Sequence, residues 1–294
     1  MLNAPNHGRV TAINLNGQNN VQKLLVRLVL GLFIALFGFI SYCSNVTENP
    51  ITGEQQRVQL SPRQEVALGA QARDELIVQY GGLYRDRAVQ NYIDRVGAEI
   101  VSDSVAAESP YPFEFHLLDD PDTVNAFALP GGQVFITTGL LQRLDSEAQL
   151  AGVLSHEIGH VVARHGAEHL ARQQLGAALV NAVGVAASET PEQGRQAAVI
   201  AQAINQLVGL RYGRDDELES DRLGFQFMTS AGYNPEGIVE LMQILNSASQ
   251  GNPPEFLSTH PNPSNRIERL EALIDERYPN GVPAELEEGE LNLK

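Results

Sequence analysis

The stretch His156-Glu157-Ile158-Gly159-His160 constrains this chain more than any other. Asp145 and Ser146, followed by Gln149, read as the start of the helix that carries it. Residues four apart share a helix face, so His156 and His160 project together, with Glu157 about 100° around from the first. Two neutral imidazoles so placed can hold a zinc ion, and the carboxylate beside them can take a proton from a metal-bound water. Ile158, Val161 and Val162 make the neighbouring positions apolar, and Gly159 admits close approach of another segment. An ordinary solvent-facing helix would not have that pattern. On a straight helix, His165 and His169 fall about 180° and 220° from His156. They are expected at the surface or at the helix end, with Gly166 as a possible break.

A catalytic zinc takes three protein ligands and keeps a position open. "DDELESDRLG", Asp215 to Gly224, offers carboxylates for the third. Glu217 and Asp221 share a helix face, while Glu219 lies about 200° from Glu217 and is expected in solvent. Leu218, Phe225 and Met228 mark the buried side. Glu217 is therefore the candidate ligand. Asp221 is the candidate acceptor for a ring N–H of His156 or His160, fixing the tautomer.

The rest of the chain supplies a frame. Ser61-Pro62 opens a helix running to about Tyr80, and a second spans about Asp86 to Ser102. "FEFHLL" from Phe113 reads as a strand. "VNAFALPGGQVFITTGLL" reads as two strands joined at Pro130-Gly131-Gly132. The backbone of Asn125, Ala126, Phe127, Ala128 and Leu129 would be open to an extended peptide adding as a strand. Leu175–Ser188, with the apolar residues up to Leu210, reads as a helical hairpin packed in a bundle; the other reading is a membrane-touching or substrate-gating flap. Ser264 is expected to cap a last helix ending near Arg277. The expected organisation is a disordered polar leader (1–22), a membrane anchor or signal (23–43), a linker (44–60), a catalytic domain (61–280) and a frayed acidic tail (281–294).

Leu24 to Cys43 is apolar except for Arg27 and Ser41, with Lys23 and Arg27 at its front. If Arg27 snorkels, the segment reaches the roughly 20 residues a bilayer requires. It reads as a signal anchor, a cleaved signal peptide, or a signal ending at a lipid-modified Cys43. Each puts the remainder outside the cytoplasm. Cys43 is the only cysteine, so no intrachain disulfide forms. The formal net charge of −16 argues against a nucleic-acid-binding surface, which would need a basic face.

"HEIGH" with the later "ELESD" resembles the gluzincin zinc metallopeptidases that include HtpX and the CAAX prenyl proteases. "NAFALPGGQVFITTGLL" is similar to their active-site edge strand, and "STHP" before "NRIERL" to the loop of their periplasmic BepA/LoiP-like branch. The likeness covers about Asn49 to Tyr278. Ser220 departs from it, standing where the family usually has alanine. The expected form is short and singly anchored, without the several spans of HtpX and without C-terminal repeats.

The resemblance implies an α+β, mostly helical, zincin-like metalloprotease domain with a small sheet whose edge strand borders the active site. It also implies one Zn²⁺ held by His156, His160 and Glu217, with Glu157 as general base. His260 would reach the zinc as a switch or donate to the oxyanion, the plainer reading being a loop histidine; Arg266 and Tyr212 are weaker oxyanion candidates. The expected function is cleavage of unfolded or misassembled envelope proteins in the periplasm by an enzyme tethered through residues 24–43. The rival is a zinc-stabilised envelope chaperone with little proteolysis. A third reading, a prenyl-peptide protease within the membrane, sits poorly with a single apolar segment.

Overall fold

The computed structural model describes residues 15–187, 211–248, 254–261 and 265–291. The second arm of the expected hairpin, most of the leader and the Ser264 cap lie outside them. A long helix, α1 (Leu15–Ser44), begins inside the stretch read as a disordered leader. Its residues 20–44 are long and apolar enough to cross a membrane, with a mean hydropathy of 2.5.

The stretch read as a linker is instead a hairpin of β1 (Val46–Glu48) and β2 (Gln55–Arg57). The reason lies in α5 (Glu147–Val162), the helix of the HEIGH motif. A helix end leaves carbonyls without intrahelical partners. Asn49 Nδ2 donates to the Val162 carbonyl at 2.7 Å, and Gln56 Nε2 donates to that of Ala163. Both amide side chains are buried for this purpose.

Helix α2 (Pro62–Gln79) has Ser61 at its cap and Gln64 closing the capping box, and α3 (Arg87–Ser102) is capped by the Asp86 carboxylate. Next come β3 (Glu114–Leu118), β4 (Ala126–Leu129), β5 (Gln133–Thr137) and the short α4 (Thr138–Leu141). The strand order is β3-β5-β4, with β3 parallel and β4 antiparallel to β5, so β4 is an edge. Gly131 and Gly132 make the β4–β5 turn at φ of 90° and 102°, which L side chains rarely adopt.

Helix α5 lies between the sheet and the remaining helices, and every residue from Ala148 to Val162 is buried. Against it pack α7 (Arg214–Ser230) and α8 (Glu236–Ala248). The short α9 (Glu255–Thr259) and α10 (Arg266–Arg277) complete the core, α9 through Phe256 and α10 through Leu270 and Ile274. Helix α6 (His165–Ala187) leaves the body and runs beside α1. The acidic tail does not fray within the described residues. The Glu147 and Ala148 amides donate to the Gly289 and Glu288 carbonyls, so the tail supplies acceptors to the first turn of α5.

Candidate metal centre

Gly159 faces α7 so closely that a Cβ there would meet Ser220 Oγ at 2.7 Å. Across this contact Ser220 donates to the His156 carbonyl at 2.6 Å, locking the two site-bearing helices in register. The position where the sequence departs from its resemblance thus has a bond of its own.

That register brings four buried side chains together. His156, His160, Glu217 and His260 each offer one ligand atom, all within 4.8 Å of one another. His156 Nε2 lies 3.1 Å from His160 Nε2 and 3.4 Å from His260 Nδ1. Glu217 lies 3.5 Å from both His156 Nε2 and His160 Nε2, and 3.0 Å from His260 Nδ1. A tetrahedral zinc with bonds of about 2.0–2.2 Å sets its ligands about 3.3–3.6 Å apart. The donors are three imidazoles and a carboxylate, a set that suits zinc. The residues therefore fit the ion that the sequence implies.

Glu157 supports the same fit. Its carboxylate is fully buried and neither oxygen has a hydrogen-bond partner among the described residues. His260 Nε2 is the nearest cationic-type nitrogen, 3.6 Å from Oε1. Burial pushes the Glu157 carboxyl above its ordinary range. A buried acid without a partner is costly in a purely structural setting.

Behind the candidate ligands stands a layer of charged groups bonded to them. Asp221 Oδ1 is 3.0 Å from His156 Nδ1, which leaves Nε2 turned to the metal position. Burial alone would lower His156, but hydrogen bonds to Asp221 and Glu217 outweigh it and lift the metal-free group to about 9. Burial would likewise raise Glu217, but the charge of His260 and bonds from His156, His160 and His260 hold it well below the usual carboxylate range. Burial dominates at His160 and drives it well below its ordinary value.

Arg266 is fully buried and joins this layer. It donates to Glu217 at 2.7 Å, and to Asp221 from Nε at 2.7 Å and Nη2 at 2.5 Å. These bonds commit the guanidinium to Glu217 and to Asp221 behind it, so its reading as an oxyanion donor is replaced by one as their clamp. Tyr212 is buried with its ring stacked on His160 at 3.9 Å, and burial raises its hydroxyl well above the ordinary value. It remains a neutral donor beside the histidines.

The second histidine pair does not point away. Helix α5 ends at Val162 and α6 starts at His165, with Arg164 between them at φ 58°. The break is at Arg164, not Gly166. It turns the His165 ring back, and His165 Nδ1 lies 2.9 Å from His160 Nδ1. His165 Nε2 reaches Glu219 at 3.3 Å, so Glu219 is partly buried instead of free in solvent. His169 lies 2.8 Å from Asp216 and ties α6 to α7. Sequence reading missed these roles because a left-handed arginine has no sequence signal. Glu65, bonded to the guanidinium, and the Leu60 carbonyl hold it there.

Beside the site runs β4. Asn125 exchanges bonds with Thr137, its N–H going to Oγ1 at 3.1 Å and its carbonyl accepting from the Thr137 amide at 3.0 Å. Antiparallel alternation then turns the backbone groups of Ala126 and Ala128 to the outer edge. The five-residue edge expected from sequence therefore reduces to two outward residues, and Ala128 and Leu129 share a crevice with His160, Arg164 and Tyr212. At the start of the edge sits α9, whose Phe256 amide donates to the Val124 carbonyl at 3.1 Å. Glu255 accepts from Asn125 Nδ2 at 3.1 Å and from the Tyr80 hydroxyl at 2.6 Å.

Comparison with known proteins agrees with this centre. The chain is 31% identical over 264 residues to the beta-barrel assembly-enhancing protease of Escherichia coli, covering 85% of this chain and 51% of that protein. It is 30% identical over 267 residues to the mitochondrial metalloendopeptidase OMA1 of Schizosaccharomyces pombe, covering 88% of this chain and 75% of that protein. Bovine OMA1 matches at 36% over 173 residues, 54% of this chain and 32% of that protein. The chain thus spans about half the length of the assembly-enhancing protease. Residues 87–274, which hold every ligand candidate and Glu157, match the description Peptidase family M48, and the chain belongs to that family.

Proposed function

We propose that the chain is a zinc endopeptidase that cleaves unfolded or misassembled envelope proteins, tethered through residues 24–43 on the periplasmic side. The observation that carries the reading is Glu157, a buried carboxylate without a hydrogen-bond partner among the described residues, beside four converging ligand atoms. His156, His160 and Glu217 would hold the zinc. When bound, it supplies Lewis acidity that polarises the scissile carbonyl and makes a water acidic at neutral pH. Glu157 takes the water's proton, helped by its raised basicity, and returns it to the leaving amine. Tyr212, whose ring stacks on His160, would donate to the oxyanion. Ala126 and Ala128 bind the substrate through main-chain hydrogen bonds, which are nearly blind to side-chain identity and suit unfolded chains.

His260 would supply a fourth ligand atom beside His156, His160 and Glu217. With His260 on the metal the site would be closed, and His260 would have to swing away before a substrate carbonyl enters. Its helix α9 also covers the start of the β4 edge, so one movement would open both. The names of the bacterial and mitochondrial relatives, a beta-barrel assembly-enhancing protease and a metalloendopeptidase, support proteolysis over the chaperone reading. A structural zinc site has no use for Glu157.

The test is Glu157→Gln in the full chain with unfolded casein as substrate. Zinc content should stay at one per chain while chelator-sensitive cleavage disappears. Cleavage at the parental rate would overturn the assignment.

A further inference from the structure

Helix α6 leaves the catalytic body and lies antiparallel to α1. A Cβ on Gly38 would meet Ala178 Cβ at 2.8 Å and Leu175 at 4.0 Å, and one on Gly31 would meet the Ala182 carbonyl at 2.6 Å. Small residues at such points let two helices approach closely in a membrane. Contact at two points seven residues apart on α1 fixes α6 level with the middle of the apolar segment.

One face of the distal half of α6 is open among the described residues. Val180 is 72% exposed, Val183 69% and Leu179 45%. Between Leu175 and Ala187 there is no charged residue, and Asn181 is the one polar side chain. Such a face is unlike that of a helix standing in water, which carries charge on its open side. Its neighbour α1 is equally bare: only 6% of its span window is buried. From Tyr42 to Gly31 a helix rises about 16 Å, roughly half of a hydrocarbon core of about 30 Å.

We propose that the distal half of α6 is a second membrane-embedded element, entering from the side of the catalytic domain and descending to about mid-depth beside α1. Leu179, Val180 and Val183 face lipid acyl chains. The proposal rests on the reading of α1 as a retained membrane tether. It gives that tether a second leg joined directly to the metal site. The first residue of α6 is His165, which touches His160, and Leu175 lies about 15 Å further along the same helix. The bilayer would then set both the height and the orientation of the metal centre, favouring substrate segments at the membrane surface.

The test places single cysteines in full-length Cys43→Ser protein reconstituted in phosphatidylcholine–phosphatidylglycerol vesicles. Gly176→Cys, Val180→Cys and Val183→Cys probe α6, and Phe37→Cys probes α1. No heavy atom lies within 4 Å of a Cβ at Gly176, and the two valines are exposed, so the fold should survive. Each is spin-labelled, and its accessibility to oxygen and to a water-soluble nickel chelate is measured. The expected result is high oxygen and low nickel accessibility at 180 and 183, with the ratio rising from 176 to 183. High nickel accessibility at 180 and 183, with position 37 still in lipid, would overturn the proposal and leave the tether standing. Low accessibility to both reagents would mean that protein covers the face, again overturning it. Nickel access at position 37 would remove the tether and the proposal together.

Discussion

His165 Nδ1 lies 2.9 Å from His160 Nδ1, although the two residues belong to different helices. Two like ring nitrogens at this distance share one proton. A His160 that binds metal through Nε2 carries its proton on Nδ1 and donates it to His165. His165 then carries its own proton on Nε2, toward Glu219 at 3.3 Å. The chain Glu219–His165–His160 parallels Asp221–His156, so each zinc-binding imidazole would be oriented by a partner.

Removing that support should weaken metal binding without unfolding the domain. His165→Ala is expected to lower zinc affinity about 10- to 100-fold, the usual effect of losing an outer-shell partner. Competition with a fluorescent chelator measures it. His165→Asn, which can still accept a hydrogen bond, should recover part of the loss. Equal affinity in all three proteins would show that the contact does not orient His160.

Arg266 clamps Glu217 and Asp221 from a fully buried position. Taking away one partner of such a cluster leaves uncompensated buried charge, at a cost of about 3–5 kcal/mol. Arg266→Met should therefore lower unfolding stability by about that amount in the metal-free protein. Saturating zinc should restore part of it, because the ion supplies new positive charge beside Glu217. Denaturant titration with and without zinc checks both. A loss below about 1 kcal/mol would mean that the carboxylates relax or protonate at little cost.

The residues that converge at the candidate metal centre could be picked out by spacing once the HEIGH helix was in view. His156, His160 and Glu157 follow from helix periodicity, and Glu217 and Asp221 from the same rule applied to one acidic helix. The mostly helical fold and the small sheet could be read from capping residues and from the strands around Pro130-Gly131-Gly132. What was not legible depended on contacts distant in sequence. Arg164 takes a positive φ because Glu65 and the Leu60 carbonyl hold it, and nothing local announces this. Asn49 and Gln56 looked like linker residues because their acceptors, the last carbonyls of α5, lie more than a hundred residues away. The docking of the acidic tail on α5 escaped for the same reason.

Proton competition sets how zinc binding responds to pH. The metal-free His156 is lifted to about 9, because its bonds to Asp221 and Glu217 outweigh burial. Metal binding needs the neutral ring, so a proton must leave at any pH below about 9. Apparent zinc affinity should fall about tenfold per pH unit below that value, or about 1.4 kcal/mol, and level off above it. His160, driven well below its ordinary value, adds no competition near neutrality. Zinc affinities between pH 6 and 10 test this. A flat profile between pH 7 and 9 would show that His156 is neutral before the metal arrives.

The closed arrangement around His260 makes the last prediction. The imidazole is buried, stacked on Phe256 at 4.4 Å and 3.0 Å from Glu217. Its helix is pinned by Glu255 to Asn125 and Tyr80. If the closed state holds about nine molecules in ten, abolishing it raises the competent fraction about tenfold. His260→Ala should therefore increase kcat/KM on unfolded casein by up to that factor. Glu255→Ala, which frees α9 without touching the ligand set, should increase it less but in the same direction. A fall in kcat with both variants would instead make His260 a donor needed during turnover, positioned by Glu255. A fall with His260→Ala alone would also assign it to the chemistry, with α9 playing no gating part. Steady-state rates of the two variants, each at saturating zinc, separate these outcomes.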